Sequence, residues 1–303
     1  MKLLNYIFDS LVDRRSLLRK SSGFLIILLF QGFLPDKWKF SRFLKSAFAS
    51  IDTPLIDIKR LSNGRPIGKR FDGEELKYKV GFLWFKEAGT ASFSFKKKGE
   101  KNYIGKVEAE TSGFIGWLLK YRKDTYQAHM RESNDGKRLK TYFFEKKVTI
   151  GKKIRRHDIT VDYNNRLITW GKWGTARSKT KGAKEIPFGV TYNDPLVTVY
   201  NLRYGSYGNL KKGKELSLQT FFKIEKGPAY ISLRVATDQE KKKRLRGKRD
   251  SENVAYLVDL KVSKELIDSS TGKIEIHMNR KHLPVRGIVK DIILFGDVTG
   301  TLI

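Results

Sequence analysis

From Glu75 onward the chain alternates apolar and polar residues with a period of two. No other feature limits its fold so strongly, because a β-strand turns successive side chains to opposite faces. Tyr78, Val80, Phe82 and Trp84 share one face, with Lys77 and Lys79 on the other. Ala91, Phe93 and Phe95 alternate with Ser92, Ser94 and Lys96. Tyr103, Val107 and Ala109 alternate with Lys106, Glu108 and Glu110. Glu87-Ala88-Gly89 and Lys98-Gly99-Glu100 read as hairpin turns between these runs. The rhythm predicts further strands over 120–132, 138–150, 153–163 and 166–173. Turns fall at Asn134-Asp135-Gly136, Gly151 and Asn164-Asn165. Strands resume over 215–224, 229–236, 254–262, 272–278, 285–290 and 293–302. Turns this short join antiparallel neighbours.

The rhythm breaks at Asn193-Asp194-Pro195, where Asp194 can cap a helix over 195–204 with Pro195 in its first turn. A second short helix is expected over 111–119, weakened by Gly113 and Gly116. The expected fold is mainly β: a large curved antiparallel sheet or partly open barrel with one or two short helices. Residues 71–303 read as a single antiparallel β domain, and 50–70 as a linker or N-terminal arm.

Residues 1–49 differ from the rest. Arg14, Arg15, Arg19 and Lys20 precede the apolar run GFLIILLFQGFL, and Ala47-Phe48-Ala49 offers a small-x-small cleavage pattern. The apolar run is shorter than the roughly 20 residues of a spanning helix. The segment reads as a signal peptide or a membrane anchor, and its paired arginines leave the secretory and twin-arginine routes open. The expected location is therefore exported: periplasmic, or anchored in the inner membrane and facing the periplasm.

Charge then limits the partners. Lys and Arg number 62 against 32 Asp and Glu, a net charge of +30. Such a field attracts polyanions such as anionic lipid, phosphorylated glycolipid, acidic glycan or nucleic acid. There is no Cys, which excludes disulfides, thiol catalysis and Cys-ligated metals. His129, His157, His277 and His282 form no metal-binding spacing, and no carboxylate is expected beside His277 or His282. His157 and Asp158 are adjacent on a strand and so point apart. Ser206, in the turn Tyr204-Gly205-Ser206-Tyr207-Gly208, lacks the surroundings of a nucleophile elbow. Phosphate-binding glycine loops are absent. No catalytic residue, metal or cofactor is expected. Interleaved Lys and aromatic residues, as in KTYFFEKK (140–147), suit a half-buried strand as well as a nucleic-acid groove, and export disfavours nucleic acid.

Several short stretches resemble a bacterial exported family, catalogued as domain-of-unknown-function family three-one-zero-eight. They are FDGEELKYKVGF (71–82), EAGTA (87–91), EAETSG (108–113), Asp194-Pro195-Leu196 with Asn201-Leu202-Arg203, HLPVR (282–286) and FGDVTG (295–300). The resemblance implies a curved sheet wrapped round a short helix, similar to periplasmic lipoprotein-carrier half-barrels. It implies that Asp194 caps that helix and that Arg203 pairs with a carboxylate inside the sheet. Asp194, Arg203 and Tyr200 are the candidates for ligand contact. The run KKKRLRGKR (241–249) reads as an exposed loop between two strands. Its Lys241, Lys242, Lys243, Arg244, Arg246, Lys248 and Arg249 are the candidates for contact with an anionic surface. The functional expectation is a non-enzymatic envelope protein that binds a lipid or other amphipathic ligand. The alternative is an enzyme acting on envelope glycan or peptidoglycan.

Overall fold

The computed structural model describes residues 64–82, 85–175, 180–208, 210–221, 224, 229–247, 251–262, 269–292 and 296–303. Residues 1–49, read as a signal peptide or anchor, residues 50–63 of the arm, Trp84, Lys248, Arg249 and the first part of the 293–302 strand lie outside them. In chain order the strands of the first run are β1 (Glu74–Phe82), β2 (Phe85–Lys97), β3 (Asn102–Thr111), β4 (Lys123–Glu132), β5 (Leu139–Ile150), β6 (Lys153–Asp162), β7 (Leu167–Gly174) and β8 (Thr180–Glu185). The second run comprises β9 (Glu215–Thr220), β10 (Ala229–Val235), β11 (Tyr256–Lys261), β12 (Lys273–Met278), β13 (Pro284–Ile292) and β14 (Gly296–Leu302). Among the described residues four short α-helices accompany them: α1 (Ile67–Phe71), α2 (Gly113–Leu118), α3 (Pro195–Tyr204) and α4 (Asp238–Leu245).

All fourteen strands form one antiparallel sheet, in the order β8-β7-β6-β5-β4-β3-β2-β1-β14-β13-β12-β11-β10-β9. Two meanders are therefore joined by one non-sequential ladder, β1 against β14, with Tyr78 opposite Leu302 and Phe82 opposite Val298. The chain passes from the edge strand β8 to the other edge strand β9 through α3. Strands from both meanders surround that one helix: it touches β3, β4, β5 and β9, and it shares a cavity with β1, β2 and β10 to β13. The sheet is curved because it must wrap its apolar face round α3. Tyr103, Val107, Tyr126, Met130, Leu233 and Ile276 are among the buried side chains of that face.

Four readings of the elements and their bounds need correction. Glu87-Ala88-Gly89 is not a turn but part of β2. Gly89 marks a close backbone approach instead: a Cβ there would lie 2.2 Å from the Glu110 carbonyl oxygen. The folded unit also begins before residue 71, since Ile67 and Gly68 of α1 are buried and Gly68 N–H donates to Glu132 Oε2 at 2.7 Å. Strand β8 carries no apolar alternation, because it is an exposed edge whose lysines discourage further pairing. Finally, residues 241–245 of the basic run are helix and not loop. Residues 238–245 form α4, whose Thr237 and Glu240 make a reciprocal capping box.

Candidate functional site

The N-terminus of α3 is fixed by Asp194. Its Oδ1 accepts from Leu196 N–H at 2.7 Å and Val197 N–H at 3.1 Å. Its Oδ2 accepts from the Thr141 hydroxyl of β5, and its own N–H donates back to Thr141 Oγ1 at 2.9 Å. Asn201 on the next turns repeats the device. Its amide accepts from Leu139 N–H at 2.8 Å and donates to the Leu139 carbonyl at 2.9 Å, so a side chain stands in for a neighbouring strand. Gly205 ends the helix at φ 94°, a left-handed conformation that glycine adopts without strain. The hydroxyl of Ser206 then donates to the Lys137 carbonyl, so it is a structural group and not an exposed nucleophile.

Arg203 fixes the other end. Its two terminal nitrogens donate to the two oxygens of Glu74, each at 2.6 Å, and its Nε donates to the His282 carbonyl. His282 Nδ1 donates to the Arg203 carbonyl in return, at 3.2 Å. The guanidinium also lies over the rings of Phe71 and Tyr200. Tyr200 packs against Phe71 and Phe95 and is itself buried. The three ligand candidates Asp194, Arg203 and Tyr200 thus hold α3 in the sheet.

Burial sets their protonation. It pushes the Asp194 carboxyl up to about 6, against the hydrogen bonds from Thr141, Val197 and Leu196. It pushes the Tyr200 phenol up as well. The His282 imidazole is pushed down by burial, which keeps its neutral form.

On the side of α3 away from β5 lies a cavity of about 50 Å³. Leu196, Val199 and Tyr200 of α3 face Leu218, Leu260 and Ile276 of the second meander across it. Among the described residues Arg203 is the single charged one in its lining, which holds no carboxylate. That volume is room for a few waters, well below the 300 Å³ or more of a typical ligand pocket. Helix α3 is bound to β5, Glu74 and His282 by polar contacts, but its contacts across the cavity are apolar. Among the described residues the second meander makes polar contacts with α3 and its cap at His282, Thr220 and Phe221, so β10–β12 are the part of the wall that can yield.

The basic run divides on inspection. α4 lies against the outer face of β11 and β12, the face opposite the cavity, since Ile276 and Met278 line the cavity and Glu275 and His277 alternate with them. Arg244 makes a bidentate pair with Asp259 at 2.7 and 2.8 Å and also donates to Glu275. Glu275 in turn meets His277 Nε2 at 2.6 Å, so a carboxylate does stand beside His277, two residues away on the same face. Lys241 donates to the Val254 and Ala255 carbonyls. Arg244 and Lys241 are thus engaged in docking α4. Lys242, Lys243 and Arg246 are exposed, and Lys248 and Arg249 lie outside the described residues. The sequence signal for this helix was the capping box Thr237-Asp238-Gln239-Glu240. Among the described residues no helix is long and apolar enough to cross a membrane, and no cluster could hold a metal ion.

No family model matches the chain, and no curated protein matches it. Among solved structures it is similar to the crystal structure of a beta-barrel-like protein of domain of unknown function DUF1849 from Brucella abortus. The two share 15% identity at a TM-score of 0.44, over 76% of this chain and 94% of that chain.

Proposed function

We propose that the protein is a non-enzymatic component of the bacterial cell envelope that binds a lipid or other amphipathic ligand between α3 and the second meander. On this reading it is an exported protein of family three-one-zero-eight, periplasmic or anchored in the inner membrane by residues 1–49. The observation that carries the reading is the apolar cavity beside α3, with one guanidinium in its lining. An acyl chain would enter by displacing the β10–β12 wall, while Arg203 stays paired with Glu74. The absence of any carboxylate from that lining gives glycan cleavage no acid and base there.

Native mass spectrometry of the purified full chain tests this. A lipid adduct is expected on the wild type, and Ile276→Trp, which fills the cavity, should abolish it. Retention of the adduct in that variant, or a wild type without any adduct, would sink the reading.

A further inference from the structure

α2 presents an apolar side to water. Ile115 faces the interior, and Leu119, just past the helix end, is buried with it. Phe114, Trp117 and Tyr121 remain 57%, 61% and 64% exposed. Phe114 stacks on Phe85 of β2 and leans on Trp117, so the aromatic side chains form one patch at the end of the sheet. Large exposed aromatics grouped in this way mark a contact surface.

The patch is held in place. Lys120 and Tyr121 both have left-handed backbone, φ 55° and 48°, which non-glycine residues adopt at a cost. The next residue, Arg122, is buried and makes a bidentate pair with buried Asp124, both contacts at 2.8 Å. A buried ion pair thus fixes the turn that presents Tyr121.

The rim of the patch beside the β5–β6 turn is basic. Lys120 lies over Gly151 in the β5–β6 turn, which places Lys152 and Lys153 beside it, all exposed. Neither SGFIGWLLKYRK (112–123) nor TIGKKIRRH (149–157) contains Asp or Glu beyond these basic and neutral residues. A second copy of the same surface would bring lysine against lysine. An anionic bilayer fits both halves of the chemistry: Trp and Tyr favour the boundary between acyl chain and water, and lysines meet the headgroup phosphates.

We propose that α2 and the β5–β6 turn dock the protein on an anionic phospholipid bilayer, with Phe114, Trp117 and Tyr121 entering the interface and Lys120, Lys152 and Lys153 on the headgroups. This deepens the envelope reading by naming the docking surface. It names a surface separate from the 241–249 run and needs nothing from the cavity.

The test uses the full chain with phosphatidylcholine vesicles that carry brominated acyl chains, with and without phosphatidylglycerol. Because the apolar run at 23–34 can itself enter a bilayer, the signal is the quenching that wild type shows and W117F lacks. That difference is expected on phosphatidylglycerol vesicles and absent on phosphatidylcholine alone. K120Q/K152Q/K153Q should raise the lipid concentration for half-maximal quenching about a hundredfold, at a few-fold per lysine. Equal quenching in wild type and W117F overturns the proposal. So does quenching indifferent to phosphatidylglycerol, or an unshifted curve in the lysine variant. The native mass spectrum reads the cavity alone, so either idea can fail while the other stands.

Discussion

Two buried charges on either end of α3 decide how that helix is held. Removing the Asp194 side chain leaves Leu196 N–H, Val197 N–H and the Thr141 hydroxyl without an acceptor in a dry site. Asp194→Ala should cost about 3 kcal/mol or more in urea unfolding, from the lost cap and the stranded donors together. The carboxyl also gives stability a pH dependence. Its folded pKa, about 6, exceeds the ordinary 3.8, so the folded state keeps the proton longer than the unfolded chain. Its contribution is fully present below about 3.8 and is lost as pH rises through about 6, roughly 1 kcal/mol of it between pH 5 and 8. Asp194→Asn keeps an acceptor for the two N–H groups and should flatten that stretch of the profile. An unchanged slope would show that another group sets it. Arg203 follows a different logic. Arg203→Met strands the Glu74 carboxylate in a largely buried site, with an expected loss of about 3–5 kcal/mol. Pairing it with Glu74→Met should restore most of that loss, because no charge is then left unpaired. A double variant as unstable as the single one would mean that the ion pair itself, and not the stranded charge, carries the energy.

Elements differ in how plainly the sequence announces them. α3 was legible because Asp194-Pro195 interrupts a long period of two and supplies both a cap and a first-turn proline. β2 was misread at Gly89, since glycine signals a turn and a close backbone contact with the same letter. α4 was passed over because eight mostly charged residues give no apolar stripe, and its one core contact is Leu245. Its docking residues Asp259 and Glu275 come from two strands, so spacing along the chain could not bring them to Arg244. That ion cluster makes α4 acid-labile. Burial would raise the Glu275 carboxyl, but the hydrogen bonds with His277 and Arg244 outweigh it and hold it at about 2. A depressed carboxyl gives stability that is full above its ordinary 4.5 and is lost as pH falls toward 2. Hydrogen exchange across 238–245 should therefore accelerate at pH 3 relative to pH 6, once corrected for the intrinsic rate. Thr237→Ala removes the cap and should produce the same local loosening at pH 6, worth about 1 kcal/mol. Exchange that is equally slow in both cases would mean that Leu245 and the Lys241 contacts suffice to keep the helix docked.

At the scale of the molecule, the strand order could not be read from the sequence beyond sequential neighbours. Short turns predict each hairpin, but nothing local reports that β1 pairs with β14, two strands separated by nearly the whole domain. Among the described residues that ladder is the sole strand pairing between the meanders, and the chain also connects them through α3. It brings the start of the domain beside its end, where Ile303 N–H donates to the Lys77 carbonyl. A chain ending at residue 295 would lose β14 and leave facing rows of unpaired backbone groups on β1 and β13. It would also expose Val298's neighbours in the core, among them Phe82 and Val289. The expected result is loss of the single cooperative transition in urea, with β-type circular dichroism partly retained and aggregation promoted by two new edges. Adding residues 296–303 back as a separate peptide should restore cooperative unfolding, because the missing strand is supplied from outside. A truncated chain that unfolds in one transition at the wild-type midpoint would show that α3 alone couples the two meanders, and that the β1–β14 ladder follows the fold without holding it.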